Sequence, residues 1–486
     1  MEPTNINHPD SKGAVLGNMS RRLFVAGMAE SALFTSTSVG ATCPVDPLTV
    51  CNITQLYSVS VARVVEVRDA EDVRQALRSW GGKVSIGGGR FSMGGQTAVT
   101  GGMQIDMRSM QNLIYLDLAN KVVRVQAGMR WRSLQSLIDK HGLAVQTMQS
   151  YANFTVGGAV SVNCHGRYVG HGPIVNSVRA LQMVMPNGEV LETGPERNAT
   201  IFYAAIGGYG GVGVITEVEL ALDDNYPIEK GTTYVPLADY PSWFRQTIVA
   251  DPTVLLHNAD LVAPDFDQPH CVTWRRSQKP LTGTARLRPT QASYLKEQAA
   301  IFAMTELPGG ESLRRKLVQP LQDSPAVVWR NFEASRDVAE LEPVGRWSST
   351  YVLQEYFIAE QHFVKFAEHL GGLIKRMPMG TLNVSIRHSP ADTSTWMNWA
   401  QGNVFSFVLY YKQGTSSSVQ STVGEWTRTL IALALKFDGS YYLPYQLHAT
   451  PQQFSAAYPK AGEFRKLRRE LSANRFSNAL WERYGV

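Results

Sequence analysis

Ser85-Ile86-Gly87-Gly88-Gly89-Arg90-Phe91-Ser92-Met93-Gly94-Gly95-Gln96 is the stretch from which the fold is read. Three consecutive glycines leave the short apolar strand Val84-Ser85-Ile86, and two more follow. Glycine lacks a Cβ, so such a turn can take positive φ and come close to a ligand. Its successive bare N–H groups then form a concave nest for an anion. A nucleotide pyrophosphate is the natural guest.

Regular elements flank the loop on both sides. Arg63 to Val67 reads as a strand, and Asp69 as the N-cap of a helix running through Trp80. Met103 to Met107 reads as another strand, and Leu113–Leu118 with Val122–Gln126 as a hairpin around Asn120. The spacing of Leu134, Leu137 and Ile138 predicts a helix from Trp131 to His141, stopped by Gly142. Val178–Met185, Pro186-Asn187-Gly188 and Glu189–Glu192 form a second hairpin.

Two further glycine segments lie downstream, Thr155-Val156-Gly157-Gly158-Ala159-Val160-Ser161-Val162-Asn163-Cys164-His165-Gly166 and Gly207-Gly208-Tyr209-Gly210-Gly211-Val212-Gly213. The second contains a literal GxGxxG. A dinucleotide fingerprint needs a strand before it and a helix after it. Here the alternating strand Val214–Leu220 follows instead, which argues against a Rossmann domain.

After about Asn225 glycines thin out and longer helical runs begin, at Gln291–Met304 and Ala359–Arg376. Strand-like pieces recur at Val384–Arg387 and Val404–Tyr411, and the chain ends in a helical, charged tail. With 486 residues, 44% apolar and 18% charged, the chain is expected to be globular with more than one domain. A net charge of +5 with scattered basic residues does not support nucleic-acid binding. The one dense basic run, Arg465-Lys466-Leu467-Arg468-Arg469, reads as a solvated helix face. No apolar stretch is long enough for an integral membrane span.

Ser20-Arg21-Arg22-Leu23-Phe24-Val25 resembles a twin-arginine export signal, with Ser38-Val39-Gly40-Ala41 as a cleavage site. The expectation is an exported, periplasmic protein, with a cytoplasmic one as the alternative. Cys43 and Cys51 could pair in an oxidising compartment, while Cys164 reads as a buried thiol and no CxxC pair points to a metal.

The segments SIGGGRFSMGGQT, TVGGAVSVNCHG and GGYGGVGVITEVEL, in this order, resemble the vanillyl-alcohol oxidase/p-cresol methylhydroxylase superfamily of FAD enzymes. The tail YYLPYQLHATPQQFSAAYPKAGEFRKLRREL is similar to the sugar-directed members, with the decaprenylphosphoryl-ribose oxidase and alditol/aldonolactone oxidase branches nearest. The resemblance implies an α+β fold, a two-part PCMH-type FAD-binding domain with an inserted α+β cap domain. It divides the chain into a leader (1–57), an FAD-binding domain (58–225), a cap (226–435) and a C-terminal return to the FAD domain (436–486).

It also implies roles for residues. Gly87, Gly88, Gly89, Arg90, Phe91 and Ser92 would hold the pyrophosphate, with Gln96 nearby. Thr155, Gly157, Gly158 and Ala159 would line the rest of FAD, with Gly213 and Ile215 at its adenine or flavin side and His165 close to the isoalloxazine. The implied reaction oxidises a CH–OH group of a small-molecule sugar, polyol or related alcohol, with hydride passing to the flavin and electrons going on to oxygen or another acceptor. Arg387 matches an active-site arginine, and Tyr442 and Tyr445 come from the returning segment. His165 and Tyr445 are both candidates for the proton acceptor. Strand alternation allows only one of Arg387 and His388 to face the flavin.

The chain departs from the family at three positions. Phe91 stands where many members carry the histidine that attaches FAD covalently, so non-covalent FAD is expected. Tyr445 replaces a lysine common in sugar-oxidising relatives, and Ser385 replaces a carboxylate two residues before the arginine. Two alternatives stand beside the main reading: a berberine-bridge-like biosynthetic oxidase, and a non-catalytic binding protein on the FAD fold.

Overall fold

The computed structural model describes residues 43, 46–262, 266–290, 293–306, 323–342, 346, 348–377 and 380–485. Arg21, Arg22 and the 38–41 segment lie outside the described residues. Folded chain begins ahead of residue 58, the expected start of the FAD-binding domain. Strand β1 (Thr49–Cys51) pairs antiparallel with β2 (Ser58–Ser60), and a disulfide joins Cys43 to Cys51.

The first half is built from two sheets. Strands β3 (Arg63–Glu66), β4 (Val84–Gly87) and β5 (Met103–Asp106) form a parallel sheet with β5 in the middle. The crossover from β3 to β4 is the helix Ala70–Arg78, capped as expected when Asp69 accepts a 2.9 Å hydrogen bond from Asp72 N. The second sheet contains β6 (Leu113–Asp117), β7 (Val122–Gln126), β8 (Leu143–Val145), β9 (Val178–Val184), β10 (Val190–Thr193) and β11 (Val214–Asp224). Its order is β10-β9-β11-β7-β6, with β8 on the far end of β11. Both expected hairpins are present. The GxGxxG glycines do run into a strand, β11. Gly142, at φ 72°, ends the helical run that starts at Trp131.

The second half is one eight-stranded antiparallel sheet with helices on one face. Its strands are β12 (Pro227–Tyr234), β13 (Val254–Val262), β14 (His270–Arg276), β15 (Val327–Trp329), β16 (Ser349–Ala359), β17 (Thr381–Ser389), β18 (Val404–Gly414) and β19 (Ser440–Tyr441). They run β15-β12-β14-β13-β17-β18-β16-β19. The fold is thus the expected α+β arrangement, with a more β-rich insert than the helical runs suggested. The run from Ala359 is one example. β16 extends through Ala359, and the helix starts only at Phe363. Its aromatic and β-branched residues complete an eleven-residue ladder with β18, which outweighs the helical spacing that follows. The expected Gln291–Met304 helix spans Leu295–Glu306.

Alternation divides the sheet into two faces. Val384, Ile386, Phe407 and Leu409 are fully buried on the helix side, where Phe407 packs on Phe363 and Phe366. Ser385, Arg387 and Val408 point the other way, toward the glycine segments.

Two features hold the halves together. Arg330 is fully buried and donates to Asp223, to Asp224 O (3.2 Å) and to Val145 O (2.9 Å). The chain end returns beside β4, where Val84 N bonds Arg475 O and Ser477 N bonds Val84 O. This return corrects the reading of the basic run. Lys466 and Arg469 are exposed, but Arg468 is 1% exposed, on the inward face with Ala461, Phe464 and Ser472. It donates to Gly211 O, Phe476 O and Gly485 O and stacks on Trp481. Its task is to tie the third glycine cluster to the C-terminus. None of the described helices is long and apolar enough to cross a membrane.

Candidate active site

A cavity of about 460 Å³ lies between the glycine segments and the inner face of the large sheet. Its floor begins at the first glycine loop. Arg90 has φ 60°, and this turn is held by its guanidinium, which donates to Gln104 Oε1 (2.7 Å) and lies 3.2 Å from Asp106. The amides of Gly89, Arg90, Phe91 and Ser92 donate to no group among the described residues, and all four residues line the cavity. A run of unspent donors around a left-handed turn is an anion site. Ile53, from the segment after the disulfide, lines the same cavity and bonds Arg90 O through its amide.

Thr155 caps the short helix Val156–Ser161 and, with Gly157 and Gly158, continues the floor. Gly213, Ile215 and His165 also reach the cavity. Two of the expected contact residues do not line it. Gly87 is inside β4, where a Cβ would meet the Gln104 side chain at 2.8 Å, and Ala159 faces the core at 1% exposure. Gln96 lines the wall, but its amide is spent within the protein. It donates at 2.7 Å to Leu443 O and Tyr445 O and accepts from Gly94 N, fastening the loop to the returning segment.

The sheet supplies the roof through cross-strand rows. Asp260, Ser385, Val408 and Glu355 stand in register across β13, β17, β18 and β16. Asn383, Tyr410 and Leu353 form the next row, while Arg387 and Ser406 lie on the other side. Residues directly opposite in neighbouring strands share a face, and of these only Ser406 is not on the cavity wall. His388 points to the other side, where Nε2 meets Glu360 Oε1 at 2.6 Å and the ring packs on Phe244. The alternation argument for Arg387 therefore holds. The Arg387 Nε is buried and has no partner among the described residues.

Sequence reasoning missed Glu355. It is 3% exposed, and its Oε1 lies 2.7 Å from His165 Nε2. Its Oε2 accepts from the Tyr445 hydroxyl at 3.3 Å. Burial opposes its ionisation, but His165 and Arg387 outweigh that and hold the carboxyl below its usual range. Burial and the Glu355 charge push the Tyr445 phenol well above its usual value. Tyr442 donates to Val162 O at 2.9 Å and packs its ring against His165 and Phe357. Cys164 is buried in the core, and burial raises its thiol pKa.

Comparison with known proteins identifies the floor. Residues 61–194 match a family described as "FAD binding domain". These residues form an FAD-binding domain. The match agrees with the resemblance that the three glycine segments carry. The chain is 33% identical over 172 residues to L-gulonolactone oxidase of Mus musculus, covering 35% of this chain and 39% of that protein. It is 31% identical over 170 residues to L-galactono-1,4-lactone dehydrogenase 2, mitochondrial, of Oryza sativa subsp. japonica (35% and 28%). It is 34% identical over 151 residues to cytokinin dehydrogenase 4 of the same plant (29% and 28%). The chain thus spans about two fifths or less of the length of these relatives. The free amides around Arg90 and the Thr155–Gly158 floor fit FAD: the nest suits its pyrophosphate, and the long cavity toward His165 suits its ring system.

Proposed function

We propose that this protein is an FAD-dependent oxidoreductase acting on a CH–OH group of a sugar, polyol or related alcohol, with FAD held non-covalently. One observation carries the reading. A single cavity runs from the FAD-binding glycines to a polar roof of Asp260, Asn383, Ser385, Arg387 and Glu355. Two carboxylates, an amide, a hydroxyl and a guanidinium spaced along one wall suit a polyhydroxylated molecule. The names of relatives such as L-gulonolactone oxidase and L-galactono-1,4-lactone dehydrogenase support the same substrate class.

When bound, FAD supplies the acceptor for a hydride. The chain supplies the rest. Gly88 to Ser92 hold the pyrophosphate, and Thr155, Gly157 and Gly158 shape the floor. Arg387 brings a guanidinium with an unspent N–H to the reacting end, where negative charge develops. His165 is fixed between Trp399, Phe357 and Tyr442. Tyr442 spends its hydroxyl on Val162 and acts as a wall, while Tyr445 points its hydroxyl at Glu355.

Two treatments of the purified yellow protein test the reading. Anaerobic addition of alcohols, sugars and lactones is expected to bleach the flavin band with at least one of them. Acid precipitation is expected to leave FAD in the supernatant, because Phe91 has no nucleophilic nitrogen and packs on Phe154 at 4.6 Å between ring centroids. Flavin in the pellet would contradict the non-covalent reading.

A further inference from the structure

The groups around Glu355 differ in what they have left to offer a substrate. The His165 Nε2 faces the Glu355 carboxylate at 2.7 Å, and the Nδ1 faces Gly166 O at 3.4 Å. Both ring nitrogens therefore meet acceptor oxygens. The Nε2 is engaged by the Glu355 carboxylate, whose Oε1 accepts no aligned hydrogen bond among the described residues. Tyr445 is a donor, with its O–H on Glu355 Oε2. The carboxylate has lone pairs in excess of these two contacts, since an ionised carboxylate accepts about four hydrogen bonds.

Register explains how a carboxylate comes to be here. Glu355 occupies the same row as Ser385, two strands away through Val408. Both residues line the cavity. Asp260, the other carboxylate in the row, lies three strands from Glu355, about 14 Å at ordinary strand spacing. It is on the opposite flank from His165 and Tyr445.

We propose that Glu355 takes the proton of the substrate hydroxyl, and that His165 and Tyr445 are positioning residues that aim its carboxylate. The inference rests on the proposed oxidation of a CH–OH group. In that step the carbinol C–H bond breaks and its hydrogen leaves with the electron pair to the flavin, which is reduced. The O–H bond breaks, its proton goes to Glu355, and the alcohol carbon is oxidised to a carbonyl. Arg387 faces the carboxylate from β17 and favours the ionised, proton-accepting form. The phenols of Tyr209, Tyr442 and Tyr458 surround the same charge from the third glycine cluster and the returning segment. Burial raises the pKa of each, so they remain neutral around neutral pH.

The test is stopped-flow flavin reduction in the holoprotein, across pH, with any alcohol that bleaches the wild type. Glu355→Gln is expected to slow reduction about 100-fold or more, the usual contribution of a general base. FAD content and the half-saturating alcohol concentration should stay near the wild-type values, and Glu355→Asp should recover part of the rate. The wild-type rate is expected to stay level from about pH 8 to about pH 5, because a carboxylate below its usual range stays ionised there. A histidine acceptor would instead give an acid limb above the carboxylate range. Reduction of Glu355→Gln within about threefold of wild type overturns the proposal. So does a wild-type acid limb above the carboxylate range, which decides the matter even if the glutamine variant loses FAD. A wild-type flavin that dithionite bleaches but no alcohol does would remove the oxidation itself, a failure distinct from a misassigned acceptor.

Discussion

Arg330→Met is expected to destabilise the protein by about 2 kcal/mol or more, since each buried acceptor left without its donor costs about 1–3 kcal/mol. Arg330 has no exposed surface, while its partner Asp223 is about one third exposed. The substitution leaves the carbonyls of Val145 and Asp224 without their donor, and these sit at the junction of the FAD-binding sheet and the inserted sheet. The adjoining Asn331 bonds Asp139 Oδ1 and Leu143 O, so strain at residue 330 passes directly into a second buried polar contact. Lys83→Met is the control. Its bridge to Glu482 joins two side chains that are roughly half exposed, and such pairs contribute about 0–1 kcal/mol. Urea midpoints of the two variants measure the contrast. An Arg330→Met loss as small as that of Lys83→Met would contradict the buried-anchor role.

Gly157→Ala is expected to yield protein that loses FAD during purification. An added Cβ would lie 2.6 Å from Ala127 Cβ and 3.0 Å from Ala127 O. The Gly157 amide also bonds that carbonyl at 2.8 Å, so the contact cannot open without losing a hydrogen bond. Ala127 follows β7 and is itself bonded to Thr216 O of β11, which leaves the short helix Val156–Ser161 as the part that yields. It carries Thr155, Gly158 and Ser161 away from the cavity wall. Overpacking of this kind costs about 1–3 kcal/mol, and here the displaced atoms are those that receive the cofactor. Gly81→Ala, where nothing lies within 4 Å of the added carbon, is expected to keep its flavin. The flavin-to-protein absorbance ratio after gel filtration reads both outcomes, and equal ratios would contradict the close-approach argument.

Local chemistry made the FAD-binding half legible. The loop from Gly88 to Gln96, the Asn187-Gly188 hairpin and the Asp69 cap each declare themselves within a few residues, and each is found where its sequence puts it. The roof of the cavity depends on register, which a single sequence does not display. Ser385 and Glu355 are 30 residues apart in the chain, yet share a row because both pair with Val408. Glu355 sits in Leu353-Gln354-Glu355-Tyr356-Phe357, a stretch for which the sequence carried no reading. The local signal was one acidic residue among Leu353, Tyr356 and Phe357. Arg468 was misread for a related reason. A run of basic residues was taken as a single surface, whereas helical spacing turns one of its members inward with Phe464.

Anaerobic single-turnover spectroscopy of the purified holoprotein tests the central claim most directly. Mixing with a panel of polyols, sugars and lactones is predicted to bleach the flavin band with at least one member, and to yield one equivalent of the carbonyl product per flavin. A flavin that dithionite reduces, but that every alcohol in the panel leaves fully oxidised, would contradict it.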